Sequence, residues 1–216
     1  MTAKSLVQNV LLVLLLGAPF VYAAAIWSQL PNTVPTHFDI NGTANGFSPK
    51  KNALYPIVFL MLMGLGVYFL MKNIDKIDPK RANQLPEGAF DKIAVLVLML
   101  MSGVSIYIIR SMLQGMTGGF LCVLIGFFFA ALGHLMSDIK PNYFVGLRLP
   151  WTLADDENWR KTHLLTGKLW LGGGLLIALA SLFLTTQSAM CLLFGTIAVV
   201  VLIPVVYSYR LFKEKT

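Results

Sequence analysis

The chain has 216 residues, of which 56% are apolar and 12% charged, against about 25% charged in an ordinary soluble domain. So few polar residues cannot cover a soluble core, which excludes a soluble fold and places the apolar faces in lipid. The net charge of +7 has no soluble basic module to carry it toward nucleic acid; it fits anionic headgroups and orientation by positive charge instead.

The first apolar run, residues 6–27, follows Lys4. At ~1.5 Å per residue it is long enough for the ~30 Å hydrocarbon core. Lys4, the leucine run and Ala23-Ala24-Ala25 imitate a cleavable signal. The run is longer than the usual signal core, so a retained span is expected. Five further runs of spanning length follow at residues 54–71, 93–109, 120–136, 169–185 and 189–209. Helices are the expected form, because backbone groups in lipid must bond internally and none of these runs alternates as a barrel strand would. The fold class expected is therefore all-α membrane, with six transmembrane helices. A division into residues 1–72, 73–136 and 137–216 describes a first hairpin of helices, a central pair and a C-terminal hairpin within one integrated membrane domain.

Pro19 and Pro204 lie inside the first and last spans and are expected to kink them. Cys122 and Cys191 sit in apolar runs and read as small buried hydrophobes, with neither a disulfide nor a metal framework. No acid or base lies in the middle of any span, unlike the ion-binding spans of pumps and coupled transporters. Gly64, Gly66, Gly103, Gly126, Gly133, Gly172, Gly173 and Gly174 point to close helix packing.

Orientation follows from the basic residues. Of the 17 Lys and Arg, all but Lys50, Lys51 and Arg110 fall in one alternate set: the two termini and the loops at residues 72–92 and 137–168. By the positive-inside rule this set is cytoplasmic, both termini included.

The loop at residues 28–51 then faces outward. Pro31 and Pro35 bias it to extended backbone. Val34, Thr36 and Phe38 suit a strand edge, and Asn41-Gly42 and Asn45-Gly46 are turn dipeptides. His37 and Asp39 share one face. Two such ligands are too few for a metal, and His37 is expected to bond to Asp39 or to a backbone carbonyl. The connector at residues 72–92, with Pro79 and Pro86, reads as a solvated segment near anionic lipid.

The cytoplasmic stretch at residues 142–168 has more internal order. Gly146 offers a turn. Thr152 with Asp155 fits a capping box, and Asp155, Asp156 and Glu157 suit a helix start. Asp156–Arg160 and Glu157–Lys161 have the favourable i,i+4 order. A helix is expected to start near Leu153 and run along the membrane surface to the fifth span. Trp159 and His163 share a face, Trp151 and Trp159 suit the headgroup layer, and Arg148 has an acid or a lipid phosphate as its expected partner. His134 and Asp138 form an i,i+4 pair expected to hydrogen-bond at the lipid boundary. No nucleophile-and-base pair stands out, and no nucleotide or metalloprotease motif is present.

The two loops together resemble the SdpI family of bacterial membrane proteins. Leu30-Pro31-Asn32-Thr33-Val34-Pro35-Thr36-His37-Phe38 with Asn41-Gly42 and Gly46 is similar to its outward motif. Asn142-Tyr143-Phe144-Val145-Gly146-Leu147-Arg148-Leu149-Pro150-Trp151-Thr152-Leu153, then Trp159, Lys161-Thr162-His163 and Gly167-Lys168, is similar to its C-terminal motif, with Leu149 where a small hydroxyl residue is the pattern.

The resemblance implies an integral membrane immunity protein without catalytic activity, metal or cofactor, and without direct contact to nucleic acid. Its implied partners are the bilayer, a secreted membrane-active peptide toxin and a cytoplasmic DNA-binding autorepressor held at the membrane. It makes His37, Phe38, Asp39, Asn41, Gly42 and Gly46 candidates for facing the toxin. It makes Asn142, Gly146, Arg148, Pro150, Trp151, Thr152, Trp159, His163 and Lys168 candidates for the partner-holding surface. Two alternatives stay open: a structural membrane protein whose motifs only cap helices, and a membrane enzyme or small transporter whose polar cavity joins His134, Asp138, Arg148 and His163.

Overall fold

The computed structural model describes residues 3–77, 88–115 and 118–215. In chain order it runs α1 (Ala3–Ile26), β1 (Thr33–Phe38), β2 (Ala44–Pro49), α2 (Tyr55–Lys72), α3 (Ile74–Ile77), α4 (Ala89–Gln114), α5 (Gly118–Met136), α6 (Pro150–Ala154), α7 (Asp156–Ala180) and α8 (Thr186–Lys213). Among the described residues six helices are long and apolar enough to cross a membrane: α1, α2, α4, α5, α7 and α8. The protein is an all-α membrane protein. Val13, Val21, Phe59, Leu62, Phe194 and Leu202 are each more than half exposed, as a lipid-facing surface requires. Pro79 and Pro86, in residues 78–87 of the charged connector, lie outside the described residues.

The spans pack in pairs whose contacts follow from side-chain size. Along α5, Gly119, Gly126 and Gly133 recur every seven residues; along α7, Gly167, Gly174 and Ser181 do the same. The two helices run antiparallel with these rows facing each other. A Cβ at Gly133 would lie 2.4 Å from the Leu171 nitrogen, one at Gly174 2.4 Å from the Ala130 nitrogen, and one at Gly119 2.6 Å from the Ser181 oxygen. Backbone touches backbone along the whole crossing. A seven-residue repeat keeps such a seam on one face of each helix when the two are inclined by about 20°. Gly66 and Gly172 have nothing within 4 Å of a built Cβ, so their expected packing role is corrected: both face open space.

Pro204 lies inside α8 and removes the donor that would serve the carbonyl four residues earlier. That carbonyl, of Val200, instead accepts from Trp170 Nε1 of α7 at 3.2 Å. A buried polar group in lipid is thereby satisfied by the neighbouring helix. Cys122 is buried as expected, but Cys191 is exposed, because it falls on the face of α8 turned away from α5 and α7.

α7 departs most from expectation. It is one helix from Asp156, without a separate surface segment. Its first turns are polar, yet Trp159, Thr162, His163 and Thr166 are at most 1% exposed. The loop between α5 and α6 bonds Trp159 and His163, and the row of Asn158, Thr162 and Thr166 is tied to α8 through Ser208, so burial here is by protein, not by lipid.

Candidate functional site

Two structured loops occupy opposite ends of the bundle. At one end β1 and β2 pair antiparallel, Thr33 opposite Pro49 and Phe38 opposite Ala44, with irregular register around His37. Val34 is fully buried and packs with Leu30, Ala53 and Met112, which seats the hairpin on the end of α4. Lys50 Nζ donates to the Leu30 carbonyl at 3.0 Å and lies over the Trp27 ring, a cation–π contact. Asp39 Oδ1 accepts from the Asn41 and Thr43 nitrogens, both at 2.9 Å, and Gly42 takes a φ of 84°. These make the turn. Asn45-Gly46 is not a second turn but part of β2: Gly46 lies opposite His37, and a Cβ there would come within 2.9 Å of the His37 Cβ. His37 Nδ1 bonds to Asn45 Oδ1, not to Asp39 or a carbonyl, because Asp39 is committed to the turn. Phe38 is half-buried and His37 exposed. Ile40 at 56% and Phe47 at 62% exposure give the hairpin an apolar tip and flank.

At the other end the residues between α5 and α7 fold around two rings of α7. Trp159 and His163 stack, with centroids 3.9 Å apart and planes 15° from parallel. Trp159 Nε1 donates to the Ile139 carbonyl at 2.8 Å, and the indole joins a core with Tyr68, Leu98 and Met136. It therefore sits inside the protein, which corrects its expected place among headgroups. His163 Nε2 accepts from the Leu147 nitrogen at 3.1 Å. An acceptor Nε2 leaves the proton on Nδ1, which faces the Trp159 carbonyl at 2.8 Å; the ring is the neutral Nδ1–H tautomer. Gly146, at a φ of +114°, lies close against this imidazole, and a Cβ there would meet His163 Nε2 at 2.3 Å.

Asn142 is 2% exposed and organises the rest of the loop. Its Nδ2 donates to the Lys140 and Val145 carbonyls, and its Oδ1 accepts from the Phe144 and Val145 nitrogens, so the amide is fully used. Thr152 Oγ1 accepts from the Leu149 nitrogen at 2.9 Å and donates to the Leu147 carbonyl at 2.7 Å. It thus ties α6 to the loop, while Asp155, in extended backbone, is the N-cap of α7 and accepts from the Glu157 and Asn158 nitrogens. The expected capping box from Thr152 to Asp155 is corrected accordingly. The expected Glu157–Lys161 pair forms at 2.9 Å. Arg148 donates to the Tyr143 carbonyl rather than to an acid.

Trp151 fastens the loop to α8: its Nε1 donates to Ser208 Oγ at 3.0 Å, and its ring packs on Tyr209 and Phe212. Beneath it Asn158 Nδ2 donates to the Ser208 carbonyl, Thr162 Oγ1 to Asn158 Oδ1, and Thr166 Oγ1 to the Thr162 carbonyl. This buried ladder is absent from the sequence expectations; the i,i+4,i+8 spacing of Asn158, Thr162 and Thr166 was its visible signal. Of the loop candidates, Asn142, Thr152, Trp159 and His163 are buried, while Arg148, Pro150 and Lys168 are exposed. His134 is exposed and Asp138 takes the Ser137 hydroxyl at 3.5 Å, which corrects the expected His134–Asp138 bond. His134 lines grooves on both sides of α5 that contain neither Arg148 nor His163.

The C-terminal tail closes on this end. Lys215 Nζ reaches Asp155 Oδ2 at 2.7 Å and Glu157 Oε2 at 2.9 Å. The Lys215 ammonium holds the Asp155 carboxyl below its ordinary value, and the two carboxylates hold Lys215 above its own. A depressed carboxyl contributes stability that is complete above its ordinary value and is lost as pH falls through the depressed one. The tail is therefore expected to stay docked at neutral pH and to release on acidification below the carboxylate range. A spin label at Glu214→Cys reads this as a gain in mobility. Asp155→Asn keeps a competent N-cap and should raise mobility at neutral pH in part, Lys215→Ala in full.

The sequence model of the SdpI/YfhL protein family matches residues 138–208, and that of a domain of unknown function, DUF1648, matches residues 14–62. Immunity protein SdpI of Bacillus subtilis (strain 168) is 23% identical over 208 residues, which is 96% of this chain and 97% of that protein. No solved structure matches. The region that builds the ring-stacked loop and its α7–α8 support is the region the SdpI/YfhL family model covers, and it is there that the chain is similar to that family.

Proposed function

We propose that this protein is an immunity protein of the cell membrane, protecting the cell that makes it from a secreted, membrane-active peptide toxin. One observation carries the reading: the relative that bears the name immunity protein aligns with this chain over nearly its full length, so both loops and all six spans have counterparts. In this reading the hairpin faces outward and the ring-stacked loop and both termini are cytoplasmic, in line with the distribution of Lys and Arg. The hairpin meets the toxin. Asp39, Asn41, Gly42 and Gly46 set its shape, and His37 and Phe38 with the neighbouring exposed Phe47 and Ile40 supply the apolar contact that a membrane-active peptide would need. The loop holds a cytoplasmic DNA-binding autorepressor through its exposed residues, Arg148, Pro150 and Tyr143, while its buried residues keep that surface in shape. No step of this action is catalytic.

Expression in a toxin-sensitive cell is the test. Protection is expected from the wild type, and His37→Ala or Trp151→Ala should lower the tolerated toxin concentration about tenfold, the loss of one well-placed contact, at equal abundance in the membrane. A wild type that protects against no such peptide overturns the reading. Full protection by both variants removes these two residues from it.

A further inference from the structure

We infer that the crossing of α5 and α7 at the loop end holds an anionic phospholipid, its phosphate received by Lys168, Ser137 and His134. The site is a recess of about 240 Å³. It exists because Gly133 and Gly167 meet there without side chains, and its polar rim is His134 and Ser137 from α5 with Lys168 from α7. All three rim residues are exposed, and among the described residues neither Lys168 nor His134 has an ion pair. The apolar wall is Leu164 and Leu171, 37% and 38% exposed.

Depth places this rim at a bilayer boundary. Lys168 is the last charged residue of α7, and none follows until Arg210; on α5 and its exit no charge occurs from Gly118 until Asp138. The Gly133–Gly167 contact brings these two boundaries to one level. A headgroup phosphate at that level meets the Lys168 ammonium, the His134 ring and the Ser137 hydroxyl, which must turn to it from the Asp138 carboxylate 3.5 Å away. The acyl chain continues along Leu171 and the exposed Leu175 toward the bilayer centre. The Lys168 ammonium, without an ion pair among the described residues, favours a headgroup of net negative charge over a zwitterionic one. The exposed cation is kept at a position where hydration alone would leave it on the lipid boundary, and a phosphate offers the charge-assisted bonds that the protein does not.

Native mass spectrometry of the full chain, released from micelles containing equal phosphatidylglycerol and phosphatidylcholine, tests this. Wild type is expected to retain phosphatidylglycerol selectively. Lys168→Ala should cut the retained adduct about fivefold, the factor for one interfacial cation. Leu164→Trp, which fills the recess and leaves the charge, should cut it too. Arg160→Ala, which removes an exposed cation elsewhere on α7, should not. Helicity and melting temperature equal to wild type establish that each variant folds; if Lys168→Ala does not, Leu164→Trp and Ser137→Ala decide. Unchanged retention in the folded recess variants, an equal loss in Arg160→Ala, equal uptake of phosphatidylcholine, or displacement of the lipid by millimolar inorganic phosphate would each overturn the site.

Discussion

Gly133→Leu and Gly174→Leu are each expected to separate α5 from α7 and to lower the unfolding midpoint sharply, whereas Gly66→Leu should leave the melt unchanged. The reason is what the new side chain meets. At Gly133 the first added carbon falls 2.4 Å from the Leu171 nitrogen and 2.8 Å from the Gly167 oxygen; at Gly174 it falls 2.4 Å from the Ala130 nitrogen and 2.5 Å from the Gly126 oxygen. These are helix backbone atoms, and no rotamer change relieves them. The helices must move apart by more than an ångström, and every other contact along the seam loosens with them. Overpacking in a soluble core costs about 1–3 kcal/mol, and two effects raise the figure here. Apolar side chains exposed by the separation gain nothing from water, so association in lipid depends on close packing itself. The α5–α7 seam also carries the loop that spans it. A loss of about 3 kcal/mol or more is expected, read as a fall in the denaturant or temperature midpoint in a mild detergent. Gly133→Ala should fall between, since the first carbon already makes the clash. A Gly133→Leu melt within error of wild type would show that the two helices are not in backbone contact.

This seam shows where sequence reasoning reaches and where it stops. Composition and run length give the six spans, because lipid imposes one rule on every segment that crosses it. Gly126, Gly133 and Gly174 are recognisable as packing residues, but so, wrongly, are Gly66 and Gly172. A single helix cannot tell which of its small residues faces a partner; the seven-residue rows become meaningful only when Gly119, Gly126 and Gly133 are set against Ser181, Gly174 and Gly167 in antiparallel register. The hairpin is legible from Pro35, Asn41 and Gly42, whereas Asn45-Gly46 satisfies a turn rule locally and is overridden by pairing with His37. The misplaced Trp159 has a physical cause as well. A tryptophan next to Arg160 and Lys161 near a membrane end has the usual signature of a headgroup anchor, and only the fold of residues 139–147 over it reveals that its indole nitrogen serves the Ile139 carbonyl.

His163→Phe is expected to free the loop without unfolding the bundle. The imidazole does two things at once: Nε2 receives the Leu147 nitrogen and Nδ1–H faces the Trp159 carbonyl. Phenylalanine keeps the stack on Trp159 but leaves the Leu147 donor without its acceptor, at a cost of about 1–3 kcal/mol when buried. That donor lies one residue from Gly146, and the Ile139 carbonyl at the other end of the segment is held by Trp159, stacked on the same imidazole. The loss is therefore local and opens the segment from Ile139 to Leu149 as a unit. Gly146→Val reaches the same state from the other partner, by adding a side chain at a φ of +114° where β-branched residues do not go and where His163 Nε2 already stands. α5 and α7 remain joined by their glycine seam, and α8 by the Asn158–Ser208 ladder, so helicity should persist while limited proteolysis between residues 139 and 149 accelerates about tenfold or more, the factor for about 1.4 kcal/mol of local opening. The combined variant His163→Phe with Gly146→Val should add little to either change alone, because both remove one contact. Equal protease resistance in both single variants, or additive effects in the pair, would show that the loop is held by Asn142, Thr152 and Trp151 and that the ring is only a filler beneath it.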